Sequence, residues 1–308
     1  YTSVNTLSLH DALPIFRELV ASGRLAAGRR SVGGEPGDVN NHIHTIYSFS
    51  PYSPSMAALR AAEAGLEAAG SVDHDSIAAS REMVAACAIV GIGSVTGCEL
   101  RVSFKKDEAG GASPFADRRL NNPDSAGIAY MTIQGVPASR VDELDAFLAP
   151  IRARRAERTR RMTEAASELL AEAGIARLDF EADVLGRSMA REGGGLTERH
   201  LLAAVADRLI GRFGRGPELV AALVRSLRLA PPPRISALLG DAANPYLAFD
   251  LLGALKSGFL DRIFVQPGPD ECPEAREAVA FARRIGAIPA YAYLGDVGDS
   301  PTGDKKPE

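Results

Sequence analysis

Cysteine is scarce in this 308-residue chain. Cys87, Cys98 and Cys272 form no CxxC and are odd in number, which argues against a disulfide scaffold. A reducing, cytoplasmic compartment is the expectation. Long hydrophobic runs are also missing. The longest, Met83 to Gly93, is too short to span a bilayer, so no membrane partner is expected. No surplus of positive charge is present either. A net charge of −4 and a pI near 5.8 give no general attraction to nucleic acid or anionic lipid. Nucleic acid stays possible as a partner without being indicated. Lysine is rare, five against thirty arginines among the 35 basic residues, which reads as GC-rich coding more than function. What remains is ordinary for a globular protein: 46% hydrophobic and 24% charged residues, in a chain long enough for a sizeable core.

Histidine is sparse too, yet three of the five cluster. Asn41-His42-Ile43-His44 is followed by Asp73-His74-Asp75, and then by Glu99 within Gly97-Cys98-Glu99-Leu100. Each lies in or just beyond a short segment that reads as a strand. Residues i and i+2 of a strand share a face, so His42 and His44 present two imidazoles to one side, about 7 Å apart. Imidazole with carboxylate suits zinc, manganese or iron. His42, His44, His74 and Glu99 are therefore the expected ligands of a divalent metal. Asp73 or Asp75 is expected to orient a ligand histidine through its second nitrogen. The competing reading of Asp75 is a cap on the following helix.

Around these residues, strands and helices alternate. Strands are predicted at Asn40–His44, Ala68–Asp73, Val95–Val102 and Ala129–Val136. Helices are predicted after Ser53-Pro54, with Met56, Leu59 and Leu66 as apolar marks, and after Asp75-Ser76, with Ile77, Val84 and Ala88 on one face. This is the grammar of a parallel sheet or barrel, whose chemistry sits where strands end. From about residue 138 the pattern turns helical. Val141 to Leu148, a restart at Pro150 running to about Ala173, Thr197 to Ile210, and Pro217 to Leu229 are the expected helices. Strand and helix alternation resumes near Asn244. A helix to Lys256, a strand at Arg262–Val265, a helix at Ala275–Ile285 and a strand at Ile288–Leu294 bring the expected strand count to six. The organisation predicted is an α/β first part over 16–137, an all-helical insertion over 138–243, and a second α/β part over 244–308. Thr6 to Ile15, TLSLHDALPI, resembles the translation of a sequencing-library adapter. Residues 1–15, with His10 and Asp11, are accordingly expected to be foreign to the fold.

The motif set His42-Ile43-His44, Asp73-His74-Asp75 and Glu99 resembles the PHP family, the polymerase and histidinol phosphatase domain. The resemblance covers about residues 39–136 and 244–295. It implies a distorted (β/α)7 barrel with an all-helical insertion, and a site at the strand ends that holds two or three divalent metals and hydrolyses phosphate esters. His42 and His44 match the first motif, His74 the second, and Glu99 the carboxylate that commonly bridges two metals. A phosphorylated small molecule is the implied substrate. The chain also departs from the family. Phe49 stands where an Asp is usual, the strand at Ala129–Val136 offers only Gln134 for a further His, and Tyr291 and Tyr293 occupy the strand of another. A closing Asp-x-His motif would lie beyond Glu308, so a truncated or divergent member with an incomplete barrel is expected. Two other readings stay open: a degenerate PHP-like binding domain without turnover, and an amidohydrolase-like hydrolase, which also opens with HxH but usually has two later histidines.

Other candidates are weaker. Arg101 shares the Glu99 face and is a candidate substrate contact. The glycines 193–195 precede a helix, so Arg199 and His200 are candidate anion contacts, against the alternative of an ordinary capped helix. Six arginines between Arg152 and Arg161 read first as a solvated helix face. Tyr291 and Tyr293 read as core or pocket lining, and Cys98 as core. Gly298 to Lys305 fails as a P-loop because Asp304 stands where Lys is required.

Overall fold

The computed structural model describes residues 9–23 and 37–293. The tail from Gly295, with the failed P-loop string, and residues 1–8 lie outside them. So do the side chains of His10 and Asp11. The described elements run in the order α1 (Leu9–Ala21), β1 (Val39–Ile43), α2 (Pro54–Glu63), β2 (Ala68–His74), α3 (Ser80–Val90), β3 (Gly93–Ser103), β4 (Ile128–Gln134), α4 (Val141–Glu172), α5 (Glu198–Phe213), α6 (Pro217–Arg225), α7 (Pro233–Gly240), α8 (Leu247–Lys256), α9 (Ala275–Arg284) and β5 (Ile288–Tyr291). The chain is a mixed α/β protein in two compact units. The first takes residues up to 154, 189–195 and those from 267 onward; the second takes 155–188 and 196–266.

In the first unit five strands form one sheet in the order β1-β2-β3-β4-β5. β1, β2 and β3 are parallel, each reached through a helix, as the alternation predicts. β4 and β5 break that pattern, for β4 runs antiparallel to β3 and β5 antiparallel to β4. The polar stretch 104–127 between β3 and β4 holds no helix. It therefore returns the chain to the same end of the sheet, where a parallel neighbour would need a crossover. The strand expected at Arg262–Val265 does not form. Leu260–Arg262 is a short helical turn, in which Arg262 N–H donates to Phe259 O and Ile263 N–H to Leu260 O.

Two apolar clusters hold this unit. Cys98, Leu100 and Val102 of β3 face Leu144, Leu148 and Phe281 across one side of the sheet, with Met131 and Ile133 of β4 among them. Phe147 stacks on Phe281 at 4.1 Å. Because strand side chains alternate, Glu99 and Arg101 point to the other side. The second cluster joins Phe16, Leu59, Met83 and Cys87, with Leu13 and Val20 of α1 packed on it. The expectation that residues 1–15 make no packing contribution thus fails at Leu13.

Helix ends explain two further differences. Ser53 accepts from Met56 N–H at 3.2 Å and Pro54 takes the first turn, so α2 starts where predicted. α3 starts at Ser80, four residues later than expected, because Asp75 adopts φ 53°. Asp75 is therefore no cap for α3. The buried side of α3 is Met83, Ala86 and Cys87, whereas Val84 and Ala88 are exposed. α4 runs unbroken through Pro150, so no restart occurs there. One helical hydrogen bond is missing at that proline, a cost that 32 residues of helix absorb.

Among its described residues the second unit has helices as its regular elements and no strand. α5 packs on α8 and α6, burying Leu201, Leu202, Leu209, Leu223, Leu251 and Leu255. The arginine run of α4 is solvated only in part: Arg154 and Arg161 are exposed, and two others are not. Arg155 and Arg158 are each 2% exposed, and both pair with Glu198, at 3.2 and 2.6 Å. Burial of long basic side chains was hidden from the sequence because their partner lies forty residues away.

Candidate metal centre

Three parallel strands bring one side chain each together and the turn after β1 adds a fourth, but only His42, His44 and Glu99 bring their donor atoms to one point; His74 joins through its contact with Glu99. His42 lies in β1, His44 one residue past its end, His74 at the end of β2, and Glu99 within β3 directly opposite His74 in register. Both oxygens of Glu99 meet imidazoles. His42 Nε2 is 3.4 Å from Oε1, His44 Nε2 is 3.6 Å from Oε2, and His74 Nδ1 is 3.0 Å from Oε2. The rings crowd together: His44 stacks on His74 at 4.5 Å and lies 5.2 Å from His42. One donor atom each from His42, His44 and Glu99 fall within 4.8 Å of one another. Among the described residues this is the one such group of three or more.

Electrostatics follow from that packing. Burial opposes ionisation of Glu99, but hydrogen bonds from His42 and His74 outweigh it and hold the carboxyl well below its usual range. The bond to Glu99 raises the pKa of His42 above its ordinary 6.5, against the opposing effect of burial. The donor set of imidazole nitrogen and carboxylate oxygen on a half-buried floor fits a zinc, manganese or iron ion.

Behind the imidazoles lies Asp73, 1% exposed. It accepts from Thr45 N–H (2.6 Å), Thr45 Oγ1 (2.6 Å) and Ser48 Oγ (2.7 Å). Ser48 Oγ is in turn 3.3 Å from His44 Nδ1. Asp73 thus reaches His44 through one hydroxyl, where direct contact with a histidine was the expectation. Burial raises the pKa of Asp73 although all three bonds favour its ionised form. Asp75 enters through its main chain: its N–H donates to Glu99 O at 2.7 Å, and its carbonyl accepts from Arg152 at 3.1 Å. Thr45 and Ser48 were missed in the sequence. Two small hydroxyls in the turn after His44 were the available signal.

Arg101 pairs with Glu271 at 3.1 Å, both side chains almost wholly buried. Its Nε and Nη2 each donate to the Tyr130 hydroxyl at 3.3 Å. Tyr130 stands opposite Arg101 in the β3–β4 register, and its ring lies 5.5 Å from that of His74. The strand β4 therefore turns Tyr130 and Thr132 to the site, with Gln134 bonded to Thr132 Oγ1 at 3.2 Å. Tyr130 had no sequence signal, since its role depends on antiparallel pairing. Tyr291 and Tyr293, expected in core or pocket, are 36% and 51% exposed. Arg199 and His200 belong to the second unit. His200 is buried, and its Nδ1 accepts from Thr197 N–H at 3.0 Å, closing a capping box at the start of α5; Arg199 is exposed.

No family model matches the chain, and no curated protein matches it. Solved structures do. A protein assigned as a metal-dependent phosphoesterase, from Bifidobacterium adolescentis, superposes with a TM-score of 0.52 at 18% identity, covering 87% of this chain and 73% of its own. The likeness is one of fold. An amidohydrolase from Chromobacterium violaceum, with sulfate bound and no metal, gives 0.50 at 20% identity, over 86% of this chain and 70% of its own. No helix among the described residues is long and apolar enough to cross a membrane.

Proposed function

We propose that the chain is a PHP-like, metal-dependent hydrolase acting on phosphate esters of a nucleotide or other small molecule. Its frame would be an incomplete, distorted (β/α)7 barrel interrupted by an all-helical insertion. The observation that carries the reading is Glu99, a buried carboxylate with both oxygens against three imidazoles at the ends of adjacent parallel strands. The fold likeness to a protein assigned as a metal-dependent phosphoesterase supports it.

In this reading His42, His44, His74 and Glu99 hold the divalent ion. The ion, when bound, lowers the pKa of a coordinated water and neutralises charge developing on phosphoryl oxygens. The chain's own residues do the rest. Neutral imidazoles around a single carboxylate leave a divalent site with net positive charge, which favours an anionic ester over a neutral amide. Asp73, acting through Ser48, fixes the ring of His44 so that Nε2 faces the centre. Arg101, tied to Glu271 and Tyr130, stiffens the β4 side and bounds the space for substrate.

Turnover should be modest. A clamp on both attacking and leaving oxygens needs a second ion about 3.5–4 Å away, and Phe49, Gln134 and Tyr293 stand where further ligands would be needed. The test is hydrolysis of bis(p-nitrophenyl) phosphate with added manganese or zinc, wild type beside His42→Ala. Turnover that vanishes in the variant supports the hydrolase. Equal turnover in both indicates a contaminant. Zinc and phosphate binding without turnover would instead favour the binding-domain reading.

A further inference from the structure

The short segment Met189–Gly195 belongs to the first unit, although both flanking stretches belong to the second. Its backbone lies against the two turns that follow His44 and His74. Gly195 N–H donates to Tyr47 O at 2.7 Å, three residues after His44. Ser76 Oγ donates to Gly193 O at 2.7 Å, two residues after His74. The contact leaves no room for a side chain. A Cβ on Gly195 would sit 1.9 Å from His74 O, and one on Gly194 would sit 2.8 Å from Tyr47 O and 2.6 Å from Met189 O.

Three glycines before a helix suggest an anion-binding nest, but their donors are engaged. Gly193 N–H reaches Ala190 O at 3.4 Å, Gly194 N–H reaches Met189 O at 2.7 Å, and Gly195 N–H reaches Tyr47 O. The close approach, rather than a ligand, accounts for Gly194 and Gly195.

We propose that residues 193–195 form a positioning strap for the metal centre, with Gly195 setting where the main chain of His74 lies relative to the turn after His44. The proposal rests on the metal-site reading above. His74 must meet Glu99 at 3.0 Å while stacking on His44 at 4.5 Å. A methyl at residue 195 forces His74 and the strap apart by about an ångström, whereas metal ligands tolerate only about 0.2 Å.

The experiment compares Gly195→Ala with wild type and with Gly211→Ala, whose Cβ would meet nothing within 4 Å. Zinc affinity is read by competition with a chromogenic chelator. Ring signals of the histidines are read by nitrogen-15 NMR on metal-free protein. Gly195→Ala should weaken zinc binding by about tenfold or more, the range for groups that hold ligands in place. It should also shift the His74 ring signals and leave those of His200 unmoved. Gly211→Ala should match wild type in both. A folded Gly195→Ala with wild-type affinity and unshifted His74 signals overturns the strap. If wild type binds no zinc, the metal-site reading fails and the ring signals alone decide the strap. If Gly195→Ala does not fold, Ser76→Ala, which removes the bond to Gly193 O together with the local bond from Ala78 N–H, decides by the same two readouts.

Discussion

Replacing Asp73 tests the support behind the imidazoles. Its carboxylate is almost fully buried and is the acceptor for three donors, Thr45 N–H, Thr45 Oγ1 and Ser48 Oγ. Asp73→Ala leaves all three facing an apolar methyl. Each orphaned donor costs about 1–3 kcal/mol. Removing a buried carboxylate returns part of that, since burial already disfavours its ionised form. A net loss of about 2–4 kcal/mol follows. Asp73→Asn is milder. The amide oxygen can keep the Thr45 N–H and Ser48 bonds, both of which fall on Oδ1, while the amide nitrogen faces Thr45 Oγ1. Thr45 Oγ1 already accepts from Tyr47 N–H at 3.2 Å, so its own proton loses its acceptor. One orphaned hydroxyl predicts about 1–2 kcal/mol. Urea unfolding in the presence of a chelator measures both. Zinc affinity should fall about tenfold in Asp73→Ala, because the Ser48 contact with His44 loses its anchor, and by less in Asp73→Asn, which keeps the Ser48 bond. Equal stabilities for the two variants, or an Ala variant within about 0.5 kcal/mol of wild type, would refute the account of Asp73 as a three-fold acceptor.

Other outcomes follow from the same geometry. In metal-free protein the raised pKa of His42 contributes stability that is full below pH 6.5 and lost as pH rises through the folded value. The lowered pKa of Glu99 contributes stability that is full above pH 4.5 and lost as pH falls through the folded value. Their joint contribution should therefore be greatest between those limits. Glu99→Gln should flatten the profile relative to wild type, measured by unfolding across pH. Zinc affinity should run the other way and rise with pH, since the ligand imidazoles must be neutral; zinc titration at pH 5.5 and 7.5 checks this. Saturating zinc at 100 times its Kd should stabilise the fold by about 2.7 kcal/mol, and His44→Ala should abolish most of that gain in a thermal melt. Arg101→Met should cost about 3–5 kcal/mol by stranding a buried Glu271, and a second change, Glu271→Gln, should recover part of the loss on urea unfolding. Leu13→Ala should cost roughly 1 kcal/mol, because its side chain packs on the α2–α3 cluster, whereas a foreign segment would cost nothing.

The parallel half of the sheet and the histidine cluster were legible because they rest on short-range signals. Ser53-Pro54 marks a helix start, two-residue spacing pairs His42 with His44, and alternation along β3 separates Cys98 and Leu100 from Glu99 and Arg101. What depends on distant partners was not legible. The direction of β4 is decided by its pairing with β3, not by its own residues, and with it the placing of Tyr130 beside His74. Burial of Arg155 and Arg158 depends on Glu198. The positive φ of Asp75 turned a plausible helix cap into a corner, and nothing in Asp-Ser distinguishes the two. Arg262–Val265 has the composition of a strand, but its start is taken up by a helical turn and it joins no sheet among the described residues.

The reversal between β3 and β4 has a consequence for how the protein could change. Stretch 104–127 leaves β3 after Ser103, four residues beyond Glu99, and enters β4 at Ile128, two residues before Tyr130. It carries its own internal bonds, Asp107 N–H to Gly111 O, Ser113 N–H to Lys105 O and Gly127 N–H to Arg118 O. The strands on either side are locked by seven paired positions. Such a hairpin can lengthen, shorten or exchange its tip while the register beneath it stays put. Residues of the stretch can thus be exchanged while the places of Glu99 and Tyr130 stay secured, as a toolholder accepts different bits without being rebuilt.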